Sequence, residues 1–342
     1  MKSISKPNFF FFLFFVLITA IVGVFFQNPQ IAMWLGFGMA AFSSIANDSI
    51  QTLGTFLTSN HKTKWWVLCL FIGGIAVAVL SYGWYFGQGD VSFERLSKIP
   101  HPETFSFFQV FAPAVLLLLT WFCIPVSTTF LILATFSSVK TIEAMLAKTF
   151  IGYIVAFVAA ITIWGILVKV KGCSFMKVNL PKKTERKWRV IQWLSTGFLW
   201  TSWLMQDTAN LAVYLPRALS GLEFLAFVSI IFFLLGLIFY SRGGRIQSIV
   251  SEKQDVMQVR AATIIDFVLA IILFIFKEVN NLPMSTTWVF LGVLAGREIV
   301  LSRLCTANKP FAKTLVLVGK DIFLAGVGLL VSISLAWLAF HI

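Results

Sequence analysis

The sequence has 342 residues, of which 58% are hydrophobic and 16% aromatic, whereas Asp, Glu, Lys and Arg together make only 12%. A soluble domain carries about twice that share of charged residues. The mean hydropathy of +0.89 and apolar stretches of about 20 residues predict an all-α polytopic membrane protein. This composition excludes a soluble enzyme, a secreted factor and a nucleic-acid binder, and it makes the lipid bilayer the surroundings of most of the chain.

The chain begins with an apolar run at residues 9–26, which follows Lys2 and Lys6. The run is longer than the hydrophobic region of a secretory signal, which has about 7 to 15 residues, and no clear A-x-A cleavage site accompanies it. Residues 1–30 are therefore predicted to form a retained signal-anchor helix.

Residues 31–168 are predicted to form a first transmembrane repeat. Its first apolar stretch contains a polar cluster around Asn47 and Asp48, which lipid does not tolerate, so a broken helix is expected there. Pro125 interrupts a later apolar stretch and predicts a hairpin with two short arms. In chain order the predicted elements are a broken helix at 31–57, a span at 65–86, the hairpin at 105–136 and a span at 150–168.

A basic segment at 169–190 divides the chain into two halves. It carries eight basic residues and one acidic residue, Glu185, and it is predicted to be a cytoplasmic loop. Residues 191–342 then repeat the order of the first half and are predicted to form a second transmembrane repeat. Its predicted elements are a broken helix at 191–216, a span at 222–240, a hairpin around Pro283 and a span at 315–340.

The distribution of basic residues predicts the orientation of these elements. If both proline-interrupted stretches are re-entrant hairpins, the chain has seven full spans, and the first repeat crosses the bilayer three times. An odd number of crossings inverts the second repeat relative to the first, a common plan of secondary transporters. With the N-terminus inside, 20 Lys and Arg lie on cytoplasmic segments and two within apolar stretches, which agrees with the positive-inside rule. The five on the outer side are Arg95, Lys98, Lys140, Lys148 and Arg217.

The four cysteines are predicted to be structural. Cys69, Cys123, Cys173 and Cys305 lie far apart in the sequence, and none belongs to a CxxC pair. This spacing indicates neither a disulfide framework nor a zinc site.

A pentapeptide occurs twice within apolar sequence, as residues 125–129 (PVSTT) and residues 283–287 (PMSTT). Proline interrupts a helix, and Ser or Thr caps the next one. A half-helix that starts at such a motif directs free backbone N–H groups, the positive end of its dipole and three hydroxyls at one point, which suits an oxyanion. The alternative is that these hydroxyls only bond preceding carbonyls or join helices.

Two aspartates, Asp48 and Asp207, lie in apolar sequence, where a carboxylate is costly and usually marks an ion or proton pathway. Amide side chains accompany them at Asn47, Gln51, Gln206 and Asn210. Carboxylate and amide oxygens suit hard cations, so the clusters are interpreted as Na⁺ sites or as protonatable carboxylates, with two structural polar clusters as the alternative. The spacing supports a repeat, because Asp48 precedes Ser127 by 79 residues and Asp207 precedes Ser285 by 78.

These motifs resemble those of the inorganic phosphate transporter (PiT) family. Residues 46–55 (ANDSIQTLGT) are similar to the family's GANDxAN signature, and residues 206–210 (QDTAN) look like its second copy. The two pentapeptides match the two PxSTT elements of the family in the expected order. The resemblance extends over nearly the whole chain from about residue 31.

The resemblance implies a secondary active transporter with two inverted repeats that carries inorganic phosphate by cation-coupled symport with alternating access. It implies Na⁺ or H⁺ as the coupling ion, no cofactor, and a homodimer in the plasma (inner) membrane. By position, the anion-binding residues would be Ser127, Thr128, Thr129, Ser285, Thr286, Thr287, Asn47 and Asn210. The residues for the coupling cation or proton would be Asp48, Asp207, Gln51 and Gln206.

The sequence departs from the family pattern at several positions. Ile45 and Leu204 replace the leading glycines, and Gln51 and Gln206 replace asparagines. Loss of glycine is expected to move the backbone near the site, and the longer amide side chains to change its size. The substrate is therefore phosphate or, as the alternative, sulfate or another oxyanion.

Two other classes of function compete with a transporter. An anion channel is disfavoured because paired aspartates repel a permeating anion. Residues 87–90 (GQGD) have the GxGD form of intramembrane aspartyl proteases, but they lie in a polar loop and the chain has no PAL motif, so no enzyme is predicted. Since the four motifs contain no Arg or Lys, the anion is expected to enter only with cations or with protonated aspartates.

Overall fold

A computed structural model describes residues 6–176, 180–241, 259–305 and 310–342, and within these ranges all regular structure is helical. The all-α prediction is confirmed. The eleven α-helices of the described residues are α1 (Lys6–Phe25), α2 (Pro29–Thr52), α3 (Gly54–Ser59), α4 (Trp65–Phe86), α5 (Phe107–Trp121), α6 (Val139–Lys171), α7 (Lys182–Ala212), α8 (Gly221–Tyr240), α9 (Val259–Val279), α10 (Thr286–Leu304) and α11 (Phe311–His341).

Five of the described helices are long and apolar enough to cross a membrane, namely α4, α6, α8, α9 and α11. Four of them are predicted spans, whereas α9 is the first arm of the predicted second hairpin. The chain is a multi-pass integral membrane protein, as predicted. The number of seven spans and the boundaries of the repeats stay predictions.

The helix breaks near the two aspartates differ from the prediction. Helix α2 continues through Asn47 and Asp48, and the break comes later, at Leu53, before the short α3. Helix α7 runs from Lys182 to Ala212 without interruption, and its first turns occupy part of the segment predicted as a basic loop. The polar side chains do not break either helix because the helical bundle surrounds them instead of lipid, and Asp48 and Asp207 are each only 1% exposed.

Both proline motifs lie between helical arms, but the arms that follow them differ in length. After Pro125 comes only a π-helical turn, Thr129–Leu133, and a 3₁₀ turn, Ala134–Phe136. After Pro283 comes α10, which has 19 residues. The prediction of two short arms concerns the first hairpin only, and the arms of the second hairpin are two long helices, α9 and α10.

The helices of the two predicted repeats pack in matching pairs. Helix α2 packs on α5 as α7 packs on α9, and α6 packs on α10 as α11 packs on the π and 3₁₀ turns. Helix α4 packs on α8, its counterpart in the other half. This pattern agrees with an internal repeat, whose inverted sense stays a prediction.

Small residues allow α10 to approach α6 closely. A Cβ atom on Gly292 would lie 2.6 Å from the Tyr153 carbonyl oxygen, and one on Gly296 would lie 2.5 Å from the Phe157 carbonyl oxygen. Two glycines four residues apart form the small-xxx-small pattern of packed membrane helices. The tip of the second hairpin is therefore carried by a helix held tightly against α6.

A disulfide joins Cys173, just after α6, to Cys305, at the end of α10. The prediction that the cysteines form no disulfide is wrong for this pair. The two residues are 132 positions apart in the sequence, and only the packing of α6 on α10 brings them together. The sequence separation of two cysteines does not show whether they form a disulfide.

Candidate functional site

The two PxSTT motifs meet in the interior of the bundle. The Thr129 hydroxyl donates to the carbonyl oxygen of Met284 at 3.2 Å, and the Thr287 hydroxyl donates to that of Val126, also at 3.2 Å. Val126 and Met284 occupy the same position in the two motifs, so these hydrogen bonds are reciprocal. The structure thus brings together two segments that lie more than 150 residues apart.

The serine of each motif caps the helical segment that follows it. Ser285 is the N-cap of α10 and accepts a hydrogen bond from the Trp288 N–H at 3.3 Å. Ser127 accepts one from the Phe130 N–H at 3.2 Å. The capping predicted from the sequence is confirmed.

Asp48 lies against the first motif, and both of its carboxylate oxygens are within hydrogen-bond distance of a donor. The Thr128 hydroxyl lies 3.0 Å from Asp48 Oδ1 and 3.1 Å from Oδ2, and Asn47 Nδ2 donates to Oδ1 at 2.8 Å. Asn47 Oδ1 in turn accepts from the Thr120 hydroxyl of α5 at 3.1 Å. Gln51 belongs to α2, but its side chain lies outside the described part of the chain.

Asp207 contacts both motifs but is less completely bonded than Asp48. Its Oδ1 accepts from the Thr129 hydroxyl at 3.2 Å and from Asn210 Nδ2 at 3.0 Å, and the Thr286 hydroxyl also lies near this carboxylate. Gln206 Nε2 donates to the Leu273 carbonyl oxygen at 2.7 Å. In the described ranges, three buried oxygens here have no hydrogen-bond partner: Asp207 Oδ2, Asn210 Oδ1 and Gln206 Oε1.

The whole cluster is closed off from its surroundings. Each of the six Ser and Thr side chains of the two motifs is at most 5% exposed. Asn47, Gln206 and Asn210 are also buried. The structure therefore brings eleven of the twelve predicted site residues into one buried region, and Gln51 is the one whose side chain it does not describe.

Sequence reasoning missed two buried cations beside this cluster, Arg95 and Lys148. Arg95 follows α4 and is 1% exposed, and Lys148 lies in α6 and is 6% exposed. Arg95 Nη1 and Lys148 Nζ both donate to the carbonyl oxygen of Leu282, the residue before Pro283. The only sequence signal for them was that both are basic residues on the predicted outer side.

The GxGD segment has a structural role. Asp90 Oδ1 accepts from the Ser92 N–H at 2.7 Å and from the Ser92 hydroxyl at 2.6 Å, and its Oδ2 accepts from the Glu94 N–H at 2.7 Å. These bonds are those of a side chain that stabilises a turn. Asp90 therefore organises the loop after α4, and no hydrogen bond joins it to another carboxylate among the described residues.

The fold and the buried cluster define a multi-pass helical membrane protein with a polar interior. Among solved structures, the sodium-dependent phosphate transporter has the same fold, with a TM-score of 0.61 over 92% of this chain and 99% of that chain. The two sequences are 18% identical, so the likeness concerns the fold. No family model and no curated protein matches the sequence.

Proposed function

We propose that the protein is a secondary active transporter that carries inorganic phosphate together with a cation. The observation that carries this proposal is the meeting of two capped helical segments, six hydroxyls and two aspartates in one buried cluster. The resemblance to the PiT family and the fold shared with the sodium-dependent phosphate transporter support phosphate as the substrate and Na⁺ as the coupling ion.

The anion site is formed by the two PxSTT motifs. Serine capping leaves the first backbone N–H groups of each segment directed at the junction, where they and the positive helix ends stabilise an oxyanion. The Thr128 hydroxyl now donates to Asp48, and the Thr287 hydroxyl donates to the Val126 carbonyl oxygen. The Thr129 hydroxyl donates to either Asp207 or the Met284 carbonyl oxygen. When phosphate binds, these hydroxyls rotate to donate to it, with Asn47 and Asn210 as further partners.

The coupling cation binds in the half of the cluster that contains Asp207. The three oxygens without hydrogen-bond donors, on Asp207, Asn210 and Gln206, offer one negative charge and two amide dipoles. Hard cations prefer oxygen ligands of this kind. Burial of a carboxylate oxygen without a partner is costly, and a bound Na⁺ or proton removes that cost.

Electrostatics couples the two sites. Phosphate adds negative charge to an interior that already contains Asp48 and Asp207, and each uncompensated buried charge is strongly unfavourable. The cation therefore has to bind for the anion to bind. The resulting symport uses alternating access, and the enclosure of the whole cluster favours a carrier with an occluded site over an anion channel with a continuous pore.

The experiment that tests this proposal is uptake of labelled phosphate into proteoliposomes with an inward Na⁺ gradient, a proton gradient or no gradient. Uptake should need one of the two gradients, and it should be lost in Asp207→Asn. Asp90→Asn is the matched control, because Asp90 stabilises a loop turn, and it should keep uptake in a protein that folds.

The outcomes separate the candidate functions. Equal phosphate uptake with and without gradients, together with net transfer of negative charge, would contradict coupled transport. Uptake of labelled sulfate in place of phosphate would favour the second candidate, a sulfate or other oxyanion permease. A homodimer rests on the family resemblance alone, and the mass of the detergent-solubilised protein tests it.

A further inference from the structure

We infer that Arg95 is an anion-binding residue of this transporter, and that its free Nη2 group contacts the tetrahedral oxyanion beside the PMSTT motif. The inference rests on the proposed function for the identity of the anion. It adds a cationic residue from outside the four motifs to a site that otherwise contains only neutral and acidic side chains.

The guanidinium of Arg95 is fixed between the two elements that carry Asp207 and the second motif. Arg95 Nε donates to the carbonyl oxygen of Met205 at 2.8 Å, two residues before Asp207 on α7. Arg95 Nη1 donates to the carbonyl oxygen of Leu282 at 3.0 Å, three residues before the cap Ser285. Because Nε and Nη1 are both hydrogen-bonded, the planar guanidinium has little freedom, and the protein fixes the position of the third nitrogen, Nη2.

That third nitrogen, Nη2, is buried and has no hydrogen-bond partner within the described ranges. A buried N–H donor of a charged group without an acceptor costs more than a neutral one. Arg95 also forms no ion pair with any described carboxylate. An arginine that is 1% exposed and has a free pair of N–H donors is therefore prepared for an acceptor that arrives from outside, and a tetrahedral oxyanion fits this donor geometry.

Lys148 concentrates positive charge at the same place. Its Nζ donates to the Leu282 carbonyl oxygen at 2.7 Å and to Asn280 Oδ1, also at 2.7 Å. Since Arg95 and Lys148 share the Leu282 oxygen, their charged groups cannot be further apart than the sum of the two bond lengths. Two basic groups held this close disfavour each other's protonated form, and a nearby anion offsets that effect. The Lys148 amine already donates to Asn280 and Leu282, so Arg95 makes the contact with the anion and Lys148 acts as a positioning residue.

The charge of Arg95 persists at neutral pH. Burial lowers the pKa of Arg95 to about 10, and the charges of Asp207 and Glu278 oppose that change. Its positive charge therefore offsets part of the negative charge of Asp207. An anion that reaches the second motif consequently meets a less negative interior than the motifs alone would give.

Arg217 provides a matched control in the same predicted outer layer. Burial also lowers the pKa of Arg217 to about 10. Both of its terminal nitrogens, however, donate to backbone carbonyls: Nη1 to Val213 and Leu215, and Nη2 to Ile99 and Pro100. Arg217 thus resembles Arg95 in charge, is part-buried where Arg95 is fully buried, and has no terminal nitrogen left for a ligand.

The test compares Arg95→Lys, Arg95→Gln and Arg217→Lys with the wild type in two assays. The first is phosphate uptake into proteoliposomes, with KM and maximal rate determined separately at acidic and alkaline pH. The second is the change of melting temperature of the full chain in detergent when inorganic phosphate or sulfate is added, with chloride at equal ionic strength as the reference. Lysine and glutamine can both still donate to the Met205 or Leu282 carbonyl, so these variants are expected to fold.

Arg95→Lys should raise the KM for phosphate by about 10-fold or more while the maximal rate stays within about 2-fold, because a charge-assisted hydrogen bond is lost. The increase should be larger at alkaline pH, where phosphate is mainly the dianion. Arg95→Gln should show a larger increase, and both variants should lose most of the anion-induced stabilisation. Arg217→Lys should change neither quantity.

Failure of the inference can be told apart from failure of the proposed function. If the wild type takes up phosphate and the Arg95 variants have unchanged KM and unchanged stabilisation, Arg95 is not an anion ligand and the proposed function stands. If the wild type is stabilised by either anion through Arg95 but does not transport phosphate, the inference stands and the proposed function fails. If neither anion stabilises or is transported by folded wild type, both are wrong.

Discussion

The two aspartate clusters share a motif but differ in how completely their polar atoms are bonded. Around Asp48 the carboxylate oxygens and Asn47 Oδ1 all lie near donors, because the Thr128 hydroxyl is within 3.1 Å of both carboxylate oxygens and the Thr120 hydroxyl is 3.1 Å from Asn47 Oδ1. Around Asp207, three oxygens lack a donor among the described residues. Under the proposed function, the cluster around Asp207 is the one that offers oxygens to a cation.

The hairpins that accompany these clusters also differ, in how firmly the rest of the protein holds them. The first PxSTT motif is followed by only two short helical turns, whereas the second is followed by α10, which packs closely on α6 and is linked to it by a disulfide. Arg95 and Lys148 also bind the backbone just before the second motif. The second hairpin is thus the more firmly held of the two, on the side where we place the cation and the charge that attracts the anion.

The largest expected effect distinguishes the two aspartates. Asp207→Asn should reduce Na⁺-dependent uptake by about 100-fold, because it removes the charged ligand of the cation, and it should leave the melting temperature unchanged or higher. Asp48→Asn should lower the free energy of unfolding by about 1–3 kcal/mol, because its amide group would face the donors of Thr128 and Asn47. Thermal unfolding with and without Na⁺ measures both, and equal behaviour of the two variants would remove the distinction between the clusters.

The disulfide is expected to give the next largest effect. Cys305→Ser should lower the free energy of unfolding by about 2–4 kcal/mol, since the cross-link closes a loop of more than 100 residues. Cys123→Ser is the control, because Cys123 is a free and exposed thiol near the first motif. Chemical unfolding under non-reducing conditions measures the difference. An unchanged midpoint for Cys305→Ser would show that packing alone holds the second hairpin.

The contact between α6 and α10 should be sensitive to a single methyl group. Gly296→Ala would place a Cβ atom 2.5 Å from the Phe157 carbonyl oxygen and should cost about 1–3 kcal/mol, because backbone must move. Gly319→Ala in α11 is the control, since no atom lies within 4 Å of its Cβ position. Melting temperatures of the two variants in the same detergent test this, and similar values would contradict the tight contact.

The reciprocal hydrogen bonds between the motifs should give the smallest effects. Thr129→Val and Thr287→Val each remove one hydroxyl donor and should each cost about 1 kcal/mol. The double variant should cost less than the sum of the two, since both bonds join the same pair of segments. Strict additivity would mean that the two bonds act independently.

Much of this arrangement could be predicted from local patterns. Hydropathy identifies a membrane protein because residues in a bilayer must be apolar along whole helices. Pro125 and Pro283 predict breaks because proline lacks an N–H group. Ser127 and Ser285 predict caps because a serine hydroxyl accepts a hydrogen bond from the second or third N–H of the helix that follows. The repeated motifs predict a shared site, and the structure brings eleven of their twelve expected residues into one buried region.

The mistaken predictions concern residues whose environment is set by distant parts of the chain. The sequence near Asp207 suggests a helix break, but the helix is continuous because neighbouring helices, and not lipid, surround the polar side chains. The pairing of Cys173 with Cys305 depends on the packing of α6 on α10.

The sequence by itself therefore determined the membrane class, the duplicated motifs and the local ends of the helices, since each depends on neighbouring residues. Tertiary structure alone decided which aspartate keeps unpaired oxygens and which cations lie beside it. Arg95 illustrates the reason: it is 187 residues from Leu282 in the chain, yet it donates a hydrogen bond to that residue. Which charged groups compensate one another in the bundle depends on their distance in space, and the separation of two residues along the sequence does not reveal that distance.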